Sequence, residues 1–274
     1  MVGFFNAVVT WFFDLLLWPF ENVAPVWGLL FVSALSGILL ALVYGRVSNQ
    51  AAIRRTKQKI GSLMLEAVLY RRDLAVSLCA QARMFGQAFV YLGHALPPLA
   101  ILMIPSLIIL AQLNLRYNAR GLKPGERTLL SLKLDKPLDL KGVTLRSSGG
   151  LLLSPPVRVP QSKEIFWRIE PVVSGMQSVT IEVEDKSVPR VRKAIYDSHF
   201  RGKLSSGRYK AWWMNLLYPG DRPFPHECVF SELYIKYPGV HYRFLGIEMH
   251  WLVIFALVSI LAGVTAAKVF KVEI

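Results

Sequence analysis

The stretch Leu96-Pro97-Pro98-Leu99-Ala100-Ile101-Leu102-Met103-Ile104-Pro105-Ser106-Leu107-Ile108-Ile109-Leu110-Ala111-Gln112-Leu113-Asn114-Leu115 carries no charge and stops at Arg116. About 20 apolar residues in a helix cross a hydrocarbon core of about 30 Å. Two more runs match it: Val26 to Tyr44, closed by Arg46, and Trp251 to Ala267, closed by Lys268. Inside lipid only a helix or a closed barrel satisfies the backbone, and no alternating ten-residue pattern recurs, so these runs read as helices. A chain of 274 residues with 53% hydrophobic composition and a mean hydropathy of +0.39 fits that reading.

Met1 to Phe20 is apolar and aromatic but has neither a basic start nor a small-residue cleavage site, which argues against a signal peptide. Asp14 interrupts it, and Phe4, Phe5, Trp11, Phe12, Phe13, Trp18 and Phe20 load it with interface-seeking rings. It reads as an amphipathic helix lying in the membrane surface, with a fourth span as the alternative.

A net charge of +14 suggests nucleic acid, but its placement points to topology instead. Between the first two spans stand eight Lys/Arg, from Arg46 to Arg83, against Glu66 and Asp73; the first 25 residues hold no Lys or Arg. Short basic loops stay in the cytoplasm. The reading is therefore N-terminus outside, basic loop and C-terminus inside, with no DNA partner; a bacterial inner membrane is the expected location. Cys79 and Cys228 then face opposite sides and cannot pair.

Ser48 to Tyr70 shows helical spacing of Ile53, Ile60, Met64 and Val68 among basic residues. Asp73 is placed to cap a second helix running to about Leu92, with Leu78, Phe85, Phe89 and Leu92 on one face, so the segment forms a helical hairpin. Gly93, Pro97 and Pro98 are expected to bend the chain into the second span. After Leu115, short β-rich runs at 129–134, 143–145, 157–159, 165–169, 179–183 and 230–237 alternate with Gly, Pro and Ser, as in a small antiparallel sandwich or barrel. Trp212-Trp213 reads as part of a helix or wide loop resting on the membrane.

The expected architecture is an α-helical integral membrane protein with an extracytoplasmic, sandwich-like β-rich domain. Its parts are an interfacial helix (1–25), three spans (26–46, 94–116, 247–268), a cytoplasmic hairpin (47–93), the β-domain (117–246) and a short tail (269–274).

Polar residues at the edges of apolar spans are costly and usually face protein or a hydrated cavity. Ser33, Ser36, Arg46, Asn49 and Gln50 on the first span and its end, with Ser106, Gln112 and Asn114 on the second, are the candidates for a hydrophilic groove. The plainer reading of Arg46 is a cation snorkelling to lipid phosphates.

The order of parts resembles the YidC/Oxa superfamily of membrane insertases. Pro98 and Met103-Ile104-Pro105 are similar to the proline and Met-Pro pair that open that family's span after the hairpin, with one extra residue. Lys57-Gln58-Lys59-Ile60 resembles its basic hairpin stretch, and Arg46 stands where its groove arginine stands. The resemblance covers about residues 4–116 and the last span. It departs in two ways: two family spans are replaced by the β-domain, and Arg46 is followed by Val47-Ser48-Asn49 without the usual proline.

The resemblance implies an insertase or membrane chaperone, with no catalysis, metal or cofactor. Its hairpin cations Arg54, Arg55, Lys57, Lys59, Arg71 and Arg72 would receive nascent or client membrane proteins, with or without the ribosome. The alternative is a membrane-anchored accessory subunit whose outer domain docks a larger complex.

Other signals are weak. His226-Glu227-Cys228 lacks a second Cys/His pair at zinc spacing. His94, His199, His241 and His250 read as surface or interface residues, and Asp135, Asp139, Glu182, Glu184 and Asp185 show no paired-carboxylate pattern. Arg190, Arg192, Lys193 and Arg201 read as a solvated face, with contact to anionic headgroups as the alternative.

Overall fold

In a computed structural model the chain is described at residues 2–70, 72–135, 142–184, 190–200, 202–225, 228–244 and 246–273. Arg71, Asp139, Asp185, Arg201, His226 and Glu227 lie outside the described residues.

Among the described residues four helices are long and apolar enough to cross a membrane: α1 (Val2–Leu17, extended by a 3-10 turn at Trp18–Phe20), α2 (Pro25–Val47), α4 (Leu74–Tyr117) and α6 (Trp251–Val269). Between α2 and α4 lies α3 (Gln50–Leu69). Helix α2 stops where Ser48 turns its hydroxyl onto the Tyr44 carbonyl at 2.6 Å. Asn49 then caps α3, accepting a bond from the Ala52 amide at 3.1 Å. The helix expected over Ser48 to Tyr70 as a continuation of the first span is thus separate from α2 and starts at Gln50. Asp73 caps α4 as expected, accepting from the amides of Ala75 and Val76 at 3.1 and 3.3 Å.

Helix α4 corrects one expectation. It does not end near Leu92 but runs 44 residues through Gly93, Pro97, Pro98 and Pro105. Each proline removes one amide donor. Apolar helices tolerate this where neighbouring helices, Ser/Thr side chains and small local adjustments satisfy the freed carbonyls. At about 1.5 Å per residue α4 is about 66 Å long, roughly twice a hydrocarbon core.

The chain divides into two compact units, residues 1–29 with 110–251 and residues 30–109 with 252–274. In the second, Tyr44, Ile53 and Leu102 form a small core joined by Tyr91 and Val272. There α2 and α6 meet closely: a side chain at Gly37 would run into the Ser259 backbone, and one at Gly263 would lie 3.2 Å from the Gly37 carbonyl.

The first unit holds the β-domain. Strands β1 (Thr128–Leu134), β3 (Leu151–Leu153), β5 (Glu164–Pro171), β8 (Gly207–Tyr209) and β9 (Phe230–Ile235) form a sheet in the order β3-β5-β1-β9-β8, with β4 (Val157–Val159) also on β5. A second sheet runs β2 (Val143–Ser147), β6 (Gln177–Val183), β7 (Val191–Ile195). Every strand pairing is antiparallel.

Alternation in β1, with Leu130, Leu132 and Leu134 buried and Leu129 and Lys133 exposed, turns one face inward. Those leucines share a core with Ile165, Trp167, Ile169, Val143, Val179, Ile181, Val191 and Ile195, so both sheets pack on one core as a sandwich. The runs expected from sequence fall in strands, except that the run at 230–237 ends its strand at Ile235; β3, β7, β8, β10 (His241–Phe244) and β11 (Ile247–His250) are additional. The helix expected as the third span, α6, begins at Trp251 and not at residue 247, because Ile247–His250 pairs with β10. Trp212-Trp213 opens a short helix, α5 (Trp212–Leu217).

Candidate functional site

The first twenty residues contain a single charge, Asp14, and α4 ends its apolar run with a single charge, Arg116. The fold joins them. Arg116 Nη2 donates to Asp14 Oδ1 at 2.7 Å, and its other arm donates to the Gln112 side-chain oxygen at 2.7 Å and the Gln112 carbonyl at 3.0 Å. The same guanidinium reaches the Thr10 carbonyl at 3.3 Å and lies 5.8 Å from the Phe13 ring centroid. Lys203 donates to the second oxygen of Asp14 at 2.6 Å, and Gln112 donates to the Thr10 hydroxyl at 3.1 Å. The Arg116 side chain keeps only 9% of its exposure, against 39% for Asp14. A planar guanidinium with five donors suits this crowded set of acceptors where an ammonium would not.

This network borders a cavity of about 270 Å³, whose wall includes Asp14, Arg116, Lys203, Tyr117, Tyr242 and Phe20. Tyr242 fixes the end of α4 by donating to the Tyr117 carbonyl at 3.2 Å.

The eight candidate groove residues are divided between the two units. Gln112 and Asn114 belong to the unit with the β-domain; Ser33, Ser36, Arg46, Asn49, Gln50 and Ser106 belong to the other. Gln112 sits in the Arg116 network, and Asn114 lines a small cavity of about 30 Å³, room for about one water. Ser33 and Ser36 are buried, and Ser106 bonds the Leu102 carbonyl of its own helix at 2.8 Å. Asn49 caps α3. Gln50 bonds Ser48 and accepts from the Glu273 amide at 2.6 Å. Arg46 is exposed at the end of α2.

Of the hairpin cations, Arg54, Arg55, Lys59 and Arg72 are exposed, and Lys57 is half-buried. Arg54 and Lys57 lie 4.0 and 3.7 Å from the Glu273 carboxylate. Beside them the hairpin leaves apolar side chains uncovered, including Met64 at 61%, Leu65 at 72%, Phe85 at 65% and Phe89 at 72% exposure.

Sequence reasoning missed Arg116 and Asp14 as partners and placed Lys193 on a solvated face. Lys193 is buried at 3% exposure, paired with Asp221 and bonded to the Ser205 carbonyl at 2.8 Å. Burial lowers its proton affinity, and the Asp221 carboxylate opposes that. The signal was its place in β7, where Val191, Lys193 and Ile195 alternate on the inward face.

Among the described residues no three His, Cys, Asp or Glu side chains gather to hold a metal. Cys79 is exposed and Cys228 buried, both as free thiols. Comparison of the chain with protein-family models, with curated proteins and with solved structures finds no match.

Proposed function

We propose that the chain is an insertase-like membrane chaperone of the YidC/Oxa type, seated in a bacterial inner membrane with its hairpin in the cytoplasm and its β-domain outside. One observation carries this reading: the hairpin of α3 and the first half of α4 pairs uncovered Met64, Leu65, Phe85 and Phe89 with exposed Arg54, Arg55, Lys59 and Arg72. Apolar patches of this kind mark interaction surfaces, and the basic residues complement the negative charge of lipid headgroups or a ribosome.

Because α4 is continuous from Leu74 into the apolar run, a client held on the hairpin has an unbroken helix to follow into the bilayer. Exposed Arg46 at the end of α2 offers a counter-charge to an acidic flank of the client. No bond is made or broken, so the work is binding and desolvation.

A second reading has its own support. The tight meeting of Gly37 with Ser259 and Gly263 is what close helix packing in a plain anchor needs. In that case the β-domain docks a partner complex and the helices only tether it. Photocrosslinkers at Leu65 and Phe85 in native membranes separate the two. Adducts with many apolar membrane proteins are the insertase outcome; one constant partner, or none, is the tether outcome.

A further inference from the structure

Helix α1 wears its polarity on the protein side. Asn6, Phe13 and Leu17 are buried and Thr10 and Asp14 half-buried, while Phe4, Val8, Trp11, Phe12, Leu15 and Trp18 point outward, Phe4 at 78% and Trp18 at 69% exposure. A water-facing helix would be arranged the other way round. The polar stripe is fully engaged: Thr10 and Asp14 in the Arg116 network, and Asn6 donating to the Asn215 carbonyl of α5 at 2.7 Å.

Two of these bonds fix the helix's direction. Asn6 meets Asn215 and Asp14 meets Lys203, and both partners lie in the chain of the β-domain. Eight residues of helix separate them, about 12 Å at about 1.5 Å per residue. A helix dropping away from the domain into a bilayer could not keep both contacts, so α1 lies along the domain. On α5, beside it, Trp212 and Trp213 are 66% and 52% exposed, and Asn215, at 1%, holds the helix by donating to the Tyr209 and Ala211 carbonyls.

We propose that α1 and the Trp212-Trp213 edge of α5 form one lipid-seated foot that holds the β-domain flat on the bilayer surface. The occupant is lipid, on two grounds. The outward face is built of Trp and Phe, the residues that partition to the level of the headgroups. The foot is also continuous with the apolar helices: a short turn after Trp18–Phe20 leads to α2 at Pro25, and the same unit holds the ends of α4 at Tyr117 and α6 at Trp251. This seat does not depend on whether the hairpin handles clients.

Depth measurements on the full chain in phosphatidylcholine/phosphatidylglycerol vesicles test it. Single cysteines at Phe4→Cys, Leu15→Cys and Trp212→Cys, in a Cys79→Ser background that leaves only the buried Cys228 as control, carry an environment-sensitive fluorophore. Lipids with a quencher near the headgroup or near the chain terminus report depth. The expected result is at least twofold stronger quenching by the headgroup probe at all three positions. A depth gradient between positions 4 and 15 means that α1 crosses the bilayer and overturns the proposal. Absence of quenching at position 212, or protection there with crosslinking to a second copy, overturns it as well. Should a cysteine variant fail to fold, Trp212→Phe with Trp213→Phe must remove a shallow-quenched share of the intrinsic tryptophan emission.

Discussion

Asp14 Oδ1 and Arg116 Nη2, separated by 102 positions in the chain, meet at 2.7 Å, and each is the lone charge of an otherwise apolar helical stretch. Leaving either without the other strands a charge among apolar groups, which costs about 3–5 kcal/mol in a fully buried pair. With Arg116 removed, Asp14 keeps Lys203 and some solvent, so loss of Arg116 is the milder of the two and loss of Asp14, which strands the buried guanidinium, the more severe. Asp14→Asn is expected to destabilise the protein by on the order of 2 kcal/mol. A double-mutant cycle with Arg116→Gln, read by thermal unfolding in detergent, should give a coupling well above that of an exposed pair. Additive effects of the two substitutions would count against the pair.

The Lys193–Asp221 pair is asymmetric, because the lysine side chain keeps 3% exposure and the aspartate 28%. Lys193→Met leaves a carboxylate that can hydrate, whereas Asp221→Asn leaves a buried ammonium without its counter-charge. Asp221→Asn should therefore lower β-domain stability by about 3 kcal/mol or more, and Lys193→Met by clearly less. Urea unfolding followed by far-UV circular dichroism checks the order; the reverse order contradicts this account of the pair.

Burial holds the phenols of Tyr209, Tyr234 and Tyr237 above the ordinary tyrosine range. In the unfolded chain they ionise near pH 10, and in the folded domain later. Their contribution is therefore complete below about pH 10 and is lost as pH rises through the folded values. In an alkaline titration, part of the tyrosinate absorbance of the ten tyrosines should appear only together with loss of the β signal. Ionisation of all ten with the fold intact would contradict it.

Arg46 stands exposed at the end of α2, where a cation can meet an acidic client flank. Arg46→Ala is expected to impair insertion of clients with acidic translocated tails several-fold more than of neutral-tailed ones. Equal impairment of both, in vesicles holding purified protein, removes the charge from the account.

Much of the fold was legible because long apolar runs and period-two alternation are local signals. Val26 to Tyr44 and Val179 to Val183 declare helix and strand without help from the rest of the chain. The path through Pro97 and Pro98 was misread because proline's cost was judged as it stands in water. Strand β11 was hidden because Ile247–His250 abuts an apolar run and owes its structure to pairing with β10.

The candidate site was less legible. Polar residues were grouped by closeness to apolar runs, yet Gln112 reaches Thr10 and Arg116 while Asn49 spends its side chain on a cap. Complementary lone charges, Asp14 and Arg116, were the signal in the sequence; their pairing depends on tertiary structure, which no local pattern encodes.

Client handling by the hairpin is the central claim, and a reconstituted insertion assay tests it most directly. A single-span client with a short polar tail is offered to vesicles holding the protein, the variant Phe85→Ser with Phe89→Ser, or no protein. Those two rings are 65% and 72% exposed, so the variant should keep its thermal stability. The account predicts insertion several-fold above empty vesicles with the unaltered chain, and near the empty level with the variant. Insertion no faster than in empty vesicles, or equally fast with both proteins, would contradict it.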